Sequence, residues 1–285
     1  PDNAICAHAN QSRIGRFNMN DKKNVLYSKN VVSFARSKGW FKGADNEFNW
    51  KMTYARPDFS GRRFCDARVW AFFNHFADNF SRYLPWAEGV DPNAEDMPLW
   101  IVPNHKLSVQ DVQAAMRDHY EGTPLAMDSL NIGGGIYQMP YRPSPLTFKV
   151  DGKTYFSERP VSTQQSAFSF VSEMRSWLPR EIGGVLWFGN DDSNMIVYTP
   201  IYCGNTLIPE CYNTPGADAV TFSMKNAFWV CNWVSNMVYP RYSMMFPELK
   251  AVRDSLEQNY FKQQAEVEQK ACALYASDKS AALKQ

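Results

Sequence analysis

The stretch GGVLWFGNDDSNMIVYTPIY, residues 183–202, decides the fold class. Two runs rich in β-branched and aromatic residues, Val185–Phe188 and Met195–Tyr198, flank a turn-forming segment of Gly, Asn, Asp and Ser. This pattern predicts a β-hairpin. A second hairpin is predicted in LTFKVDGKTYFSER, residues 146–159, because Asp151-Gly152 is a favourable pair for a tight turn.

A helix is predicted upstream of these hairpins, after a capping box formed by Ser108 and Asp111. Apolar residues recur there at intervals of three and four, up to Tyr120. Gly122 and Pro124 then stop the pattern, so the helix is expected to end near Tyr120.

A second helix is predicted from Ser162, with Gln165 completing its capping box and Pro179 ending it. Its apolar face would contain Phe168, Val171, Met174 and Leu178. A further strand is predicted in NAICAHAN, residues 3–10. Antiparallel strands with packed helices predict an α+β fold.

The chain changes character near Pro240. From residue 247 to residue 285 it is charged and rich in Gln and Ala, and it predicts a long amphipathic helix with Leu249, Val252, Leu256 and Tyr260 on its apolar face. We therefore expect a body of residues 1–246 with a helical tail, 247–285, packed on it. An oligomer interface along the tail is the alternative.

Composition excludes several classes of partner. The formal net charge is +1, so we expect neither a nucleic acid nor an anionic membrane surface as a partner. The longest apolar stretch, residues 226–240, is too short and too rich in Asn to span a bilayer, and a soluble protein is expected. Arginines among aromatics at positions 56, 62, 63 and 68 are interpreted as the rim of an aromatic core rather than a phosphate-binding surface.

The six cysteines form no C-x-x-C pair, which argues against a zinc or thioredoxin-like site. Cys203 and Cys211 would form a disulfide in an exported protein, and free thiols are the alternative. The compartment is left open, with export to the periplasm or the cell exterior slightly favoured over the cytoplasm.

The most chemically dense stretch is RDHYEGTPLAMD, residues 117–128. Gly122 and Pro124 explain it as the end of a helix, and His119 suits the negative end of a helix dipole. A metal site would need a second cluster of ligands, and the four histidines show neither an H-x-H nor an H-x-x-x-H spacing. No metal is expected.

Several segments together carry a family resemblance. The segments NQSRIGRF, YSKNVVSFARSKGW, LSVQDVQAAMRDHYEGTP, RPVSTQQSAFSFVSEMRSWLPREIGGVLWFG, VYTPIYCGN, NAFWVCNWVSNMV and RYSMM occur in this order between Asn10 and Leu256. In sequence and rough spacing they resemble the cysteine dipeptidases of the N-terminal-nucleophile hydrolase superfamily.

The resemblance implies an αββα sandwich, in which two antiparallel sheets lie between helical layers. It also implies a nucleophile outside this chain, because such enzymes use an amino-terminal cysteine whose own α-amine is the base. The chain begins at Pro1, in what resembles the middle of the family sequence, so the nucleophile is expected on an upstream fragment of the same precursor. Cys6, freed by removal of five residues, is the alternative.

Two site residues follow from the resemblance. Asn10, after an apolar strand, would donate its amide to the oxyanion of the tetrahedral intermediate, and an asparagine that only ends a strand is the alternative. Arg159 matches the arginine that orients the thiolate or the substrate, with a surface arginine as the alternative. No cofactor is implied.

The implied activity is hydrolysis of a dipeptide. An acylase cleaving N-acyl amides or bile-salt-like conjugates is an alternative within the superfamily. A noncatalytic protein of the same fold, which binds peptides or carbohydrates through some of its nine tryptophans, is the alternative from another class.

Overall fold

A computed structural model describes residues 2–128, 135–141, 147–156 and 158–283. The chain divides into two compact units, residues 1–106 and 107–285, and each is described by itself. Small antiparallel sheets and helices make the chain an α+β protein, as predicted. None of the helices in the described ranges combines the length and the apolar character needed to cross a membrane.

The first unit is mainly helical, with one short pair of strands. Strand β1 pairs antiparallel with β2, and Ile5 lies opposite Ile101. The predicted strand in residues 3–10 is therefore present, but only two residues long. The elements are β1 (Ile5–Cys6), α1 (Val31–Ser37), α2 (Trp50–Tyr54), α3 (Ala67–Asn74), α4 (Leu84–Glu88) and β2 (Trp100–Ile101).

Aromatic packing holds the first unit together. Phe48 is buried with Val32 and Ala35 of α1, and rings from the neighbouring loops and from α2 pack against this cluster. The Arg62 guanidinium lies 3.9 Å from the centre of the Trp86 ring. This cation–π contact agrees with the interpretation of these arginines as the rim of an aromatic core.

The second unit is built around a three-stranded antiparallel sheet in the order β5-β6-β7. Phe170 lies opposite Phe188, and Leu186 lies opposite Ile201. The elements are α5 (Val109–Met116), β3 (Thr147–Val150), β4 (Lys153–Phe156), β5 (Phe168–Met174), α6 (Arg180–Gly183), β6 (Gly184–Asn190), β7 (Thr199–Tyr202), α7 (Ala227–Val238), α8 (Tyr242–Tyr275) and α9 (Lys279–Ala282).

The helix predicted from Ser162 to Pro179 is wrong, because this region contains strand β5. Phe168, Phe170 and Met174 are exposed, whereas Val171 between them is buried. That alternation is the two-residue period of a strand. Some apolar residues of this region are also three and four positions apart, which fits a helix. All seven residues of β5 pair with residues of β6, and this pairing selects the strand.

The hairpin predicted around residues 185–198 is present, but its second strand was placed too early. Strand β7 begins at Thr199, and Met195–Tyr198 lie outside the ladder. Ile196 and Tyr198 are instead buried in the core with Trp187. Pro200 is tolerated within β7 because this strand lies at the edge of the sheet.

The second predicted hairpin is confirmed. Strands β3 and β4 pair antiparallel, with Val150 opposite Lys153. Asp151 and Gly152 both have positive φ, 49° and 75°. Two consecutive left-handed residues are typical of the turn that matches strand twist.

Helix α5 begins at the predicted capping box, since the Ser108 hydroxyl accepts from the Asp111 backbone N–H at 3.1 Å. It ends at Met116 rather than near Tyr120. The reason is local: the Asp118 carboxylate accepts from the Tyr120 backbone N–H at 2.8 Å. Tyr120 itself adopts a left-handed conformation, φ 68°, which a helix excludes.

The tail helix α8 is confirmed as a helix, and Leu249 and Tyr260 of its predicted apolar face pack against buried clusters, but the other half of that face was predicted incorrectly. Val252 and Leu256 are 63% and 42% exposed. The buried residues of this region are Arg253 and Glu257, which the sequence pattern assigns to the polar face. Farther along the helix, Phe261 stacks on Trp187 at 4.2 Å between ring centres.

Candidate functional site

Asn10 lies in the first unit, four residues after β1, and its side chain is exposed. Its Oδ1 accepts a hydrogen bond from Nη2 of Arg68 on α3 at 2.6 Å. Because the carbonyl end of the amide is held in this way, the NH₂ end points elsewhere as a donor. That nitrogen makes no hydrogen bond to any residue in the described ranges.

A buried cluster of charged residues holds the segment that follows Asn10. Arg13 is 5% exposed, and its Nη1 lies 3.8 Å from Oδ1 of the fully buried Asp66. Lys51 and Arg13 both contact Asp96, and Trp86 Nε1 donates to Asp66 at 2.8 Å. Burial raises the pKa of Asp66, despite the hydrogen bond from Trp86 and the two cations.

Arg159 lies in the second unit and is half-buried. Its Nη2 donates to Oε1 of Gln165 at 3.2 Å, at the exposed side of the guanidinium. Its Nε is buried and has no hydrogen-bond partner among the described residues. The exposed Nη side of the guanidinium is the part that an additional acceptor, such as a carboxylate or thiolate, can reach.

The backbone of Arg159 is anchored by the stretch that follows α5. The Tyr120 hydroxyl donates to the Arg159 carbonyl oxygen at 2.7 Å, and Tyr120 is completely buried. Nearby, the Ser162 backbone N–H donates to the Asp118 carbonyl oxygen at 3.0 Å. Two segments about forty residues apart in sequence are therefore joined at two points.

Ser162 was predicted to cap a helix, and this is wrong. Ser162 is fully buried, and its hydroxyl donates to Oδ1 of the fully buried Asp192. The same hydroxyl oxygen accepts from the Asn194 backbone N–H at 3.1 Å and from the Ser193 hydroxyl at 3.0 Å. The loop at residues 191–194, predicted as the tip of a hairpin, is thus a buried polar centre.

Asp192 is the completely buried acid of this centre. Burial raises its pKa, while His119, the Ser162 hydroxyl and the Asn194 backbone N–H lower it in part. Its Oδ2 and the Nε2 of His119 are both buried and have no hydrogen-bond partner within the described ranges. The centre therefore orders the loop around Ser162 and Arg159, and with Ser162 fully buried it offers no exposed nucleophile.

His119 lies beyond the end of α5 rather than in its last turn, where it was predicted. It is 1% exposed, and its Nδ1 lies 3.1 Å from Oε1 of Glu121. Burial acts to raise the pKa of Glu121, but the hydrogen bonds and charge of His119 outweigh burial, and the pKa is lowered overall. The pair of His119 and Glu121 therefore links two residues within the same stretch, residues 117–128.

Helix α8 also contacts the polar centre and the residues next to it. Arg117 forms a two-point ion pair with Glu257, at 2.5 and 3.1 Å. Glu257 also accepts from the Tyr198 backbone N–H at 2.8 Å, and Arg253 donates to the Asn194 carbonyl oxygen at 2.6 Å. These contacts explain why charged residues occupy the buried face of α8.

All six cysteines are free thiols, including Cys203 and Cys211. Burial, followed by the charges of Asp191 and Cys211, raises the pKa of Cys231 to about 11. A thiol of that pKa is protonated at neutral pH and is a weak nucleophile. Within the described part of the chain, no group of three or more His, Cys, Asp or Glu residues is arranged to hold a metal ion.

Residues 1–255 match the family model described as peptidase family C69. The chain belongs to this family. It is 27% identical over 207 residues to a "Probable dipeptidase" of Salmonella dublin, covering 72% of this chain and 41% of that protein. It is 23% identical over 233 residues to "Dipeptidase A" of Lactobacillus helveticus, with 81% and 42% covered.

A "Probable dipeptidase B" of Streptococcus pyogenes serotype M1 is 22% identical over 294 residues, covering 99% of this chain and 52% of that protein. The chain thus spans about half the length of the curated relatives that it matches.

Sequence reasoning missed the polar centre. It treated RDHYEGTPLAMD as a helix end and NDDSN, residues 190–194, as the turn of a hairpin. Asp192, Ser193 and Asn194 are instead each at most 4% exposed. The density of polar residues was the available signal, but burial depends on which distant segments pack against it.

Proposed function

We propose that the complete protein hydrolyses dipeptides with an amino-terminal cysteine as nucleophile, carried by a part of the polypeptide that precedes residue 1. The match to peptidase family C69 over residues 1–255 supports this proposal, together with relatives that are named dipeptidases. The coverage of about half of each relative leaves room for the nucleophile in the remaining half.

In the proposed reaction the cysteine thiol gives its proton to its own α-amine, whose ordinary pKa is about 7.7 to 8.0. The thiolate attacks the carbonyl carbon of the peptide bond, and the carbonyl oxygen becomes an oxyanion. The C–N bond then breaks as the released amine takes the proton. Water hydrolyses the remaining thioester, which frees the acid and the thiol.

Asn10 is the proposed donor to the oxyanion. Its amide N–H₂ is exposed, and Arg68 holds the carbonyl end of the same amide. A donor fixed in advance stabilises the developing negative charge without reorganising. Arg159 is proposed separately to bind an anionic group through the exposed side of its guanidinium.

We also propose the αββα sandwich and the division into a body of residues 1–246 and a tail of residues 247–285. The sheet β5-β6-β7 supports a sandwich, since Trp187 on one face is covered by Phe261 of α8. On the other face, Phe168, Phe170 and Met174 are 55%, 49% and 66% exposed. A second sheet packed there would bury these side chains.

The test is hydrolysis by the full-length protein. Dipeptides and N-acyl amino acids are assayed side by side, with the wild type and the Asn10→Ala variant. Turnover of dipeptides that falls about 100- to 1,000-fold in the variant supports the proposal. Preferred cleavage of N-acyl amino acids would favour the acylase, and dipeptide binding without turnover would favour the noncatalytic protein.

A further inference from the structure

The first unit contains an open cleft of about 1030 Å³ on the segment that follows Asn10. This volume lies at the upper end of the range for small-ligand sites, which is roughly 300 to 1,000 Å³. Its walls include Ser12, Ile14, Arg16, Tyr27, Trp50 and Trp100. The cleft is thus large for a dipeptide, and its lining combines aromatic and aliphatic side chains with polar ones, among them Arg16 and Asp21.

The segment that carries Arg16 is hydrogen-bonded to the start of α2. The backbone N–H groups of Trp50 and Lys51, at the start of α2, donate at 3.0 Å to the carbonyl oxygens of Gly15 and Ile14. On the opposite side of the segment, Arg13 is buried in its ionic cluster. Ile14 and Arg16 line the cleft, whereas Arg13 lies on the buried side of the segment.

The two arginines of this segment have different roles. Arg13 donates to the carbonyl oxygens of Met97 and Pro98 and contacts two carboxylates. Arg16 is exposed, and its guanidinium makes no ion pair or hydrogen bond with any residue that the structure describes. Asp21, also on the cleft wall, is already hydrogen-bonded by the backbone and side chain of Asn24. Arg16 is thus a cation of the cleft without a partner among the described residues, while Asp21 keeps its negative charge because the bonds from Asn24 lower its pKa.

We propose that this cleft binds an extended peptide longer than a dipeptide, with its terminal carboxylate on Arg16 and its apolar side chains against Trp50 and Trp100. A guanidinium binds a carboxylate through two parallel hydrogen bonds, and aromatic walls favour apolar side chains. The choice of a peptide as ligand rests on the proposed peptide-bond hydrolysis. The length is inferred from the volume of the cleft.

The test uses the full-length protein with its thiols capped by methyl methanethiosulfonate, so that no peptide is cleaved by a cysteine. Calorimetry measures binding of the tetrapeptide Ala-Leu-Ala-Leu, its C-terminal amide and the dipeptide Ala-Leu. We expect the tetrapeptide acid to bind about tenfold more tightly than the dipeptide, because two further residues contact the walls. The amide is expected to bind about tenfold more weakly than the acid.

The Arg16→Gln variant should lose about tenfold in affinity for the tetrapeptide acid and change by less than about twofold toward the amide. Arg16→Lys should retain part of the affinity for the acid, because the charge remains. Arg56→Gln is the matched control, since Arg56 is exposed in the same unit and does not line the cleft. It should change neither affinity.

Equal binding of dipeptide and tetrapeptide would overturn the inference. Equal loss of acid and amide in Arg16→Gln, or no binding of any peptide because another part of the polypeptide covers the cleft, would overturn it as well. These outcomes are independent of the proposed function, since binding is measured with capped thiols and dipeptide hydrolysis is assayed on the uncapped protein.

Discussion

The hydroxyl of Tyr120 donates a hydrogen bond to the backbone carbonyl oxygen of Arg159 at 2.7 Å. Tyr120 is completely buried and has a φ of 68°, a conformation that a non-glycine residue seldom adopts. A strained, buried tyrosine is retained only where its surroundings hold it in place. Here the Asp118 carboxylate and the Arg159 backbone do so.

Tyr120→Phe is expected to destabilise the fold by about 1 to 2 kcal/mol, because the Arg159 carbonyl loses its buried donor. Chemical denaturation of the full-length protein measures this change. Tyr155→Phe is the control, since Tyr155 is 45% exposed on β4, and it should change stability by less than about 0.5 kcal/mol. Equal stability of the two variants would contradict the role given to the Tyr120 hydroxyl.

Helix α8 should depend on the ion pair between Arg117 and Glu257. Glu257→Gln removes the charge that faces Arg117 and weakens the bond to the Tyr198 backbone. We expect a loss of about 2 kcal/mol in the free energy of unfolding, because one charge stays behind in a largely buried place. Glu248→Gln, on the exposed face of the same helix, should be neutral. An unchanged free energy of unfolding in Glu257→Gln would show that this pair contributes nothing to stability.

Docking of α9 is expected to depend on pH. Hydrogen bonds from Lys279 and Tyr275 lower the pKa of Glu181 to about 2. A lowered folded-state pKa stabilises the docked helix above the ordinary value of 4.5, and this contribution is lost as the pH falls from about 4.5 to about 2. The protection of residues 275–283 against hydrogen exchange, measured relative to the intrinsic exchange rate at each pH, should therefore fall across that range.

Glu181→Gln should remove this pH dependence and raise exchange of the same residues already at pH 7. Glu266→Gln, an exposed position on α8, is the matched control and should keep the wild-type profile. Protection in residues 275–283 that stays constant from pH 6 to pH 3 in the wild type would contradict the role of Glu181.

Local signals in the sequence predicted part of this fold correctly. The capping box of Ser108 and the Asp151-Gly152 turn involve only neighbouring residues, and both are confirmed. Strand β5 was predicted as a helix because its apolar residues fit both periods, and only pairing with the distant β6 selects the strand. Local pattern cannot supply that information.

The candidate site residues likewise depend on contacts between distant segments that local sequence signals do not contain. Asn10 and Arg159 were predicted from a resemblance, and the structure adds contacts that no local pattern contains. Arg68 lies 58 residues from Asn10, and Tyr120 lies 39 residues from Arg159. Likewise, Arg253 and Glu257 belong to the buried face of α8 only because Asn194 and Arg117 face them.

The role proposed for Asn10 is tested by an isosteric change. Asn10→Asp keeps the acceptor but replaces the amide donor by a carboxylate, which repels the oxyanion. We expect kcat for dipeptides to fall about 100- to 1,000-fold with little change in KM, because the interaction forms only in the transition state. Asn46→Asp, an exposed asparagine of the same unit, is the control and should retain full activity. A rise in KM at constant kcat would assign Asn10 to substrate binding instead.

The proposed nucleophile is an amino-terminal cysteine outside this chain, and covalent labelling tests this proposal most directly. The full-length protein is treated with a dipeptide chloromethyl ketone, with and without excess dipeptide, and the labelled residue is identified by mass spectrometry. The account predicts one protected label, on an amino-terminal cysteine that precedes residue 1. A protected label on Cys6 or on any other residue of the 285-residue chain would contradict it.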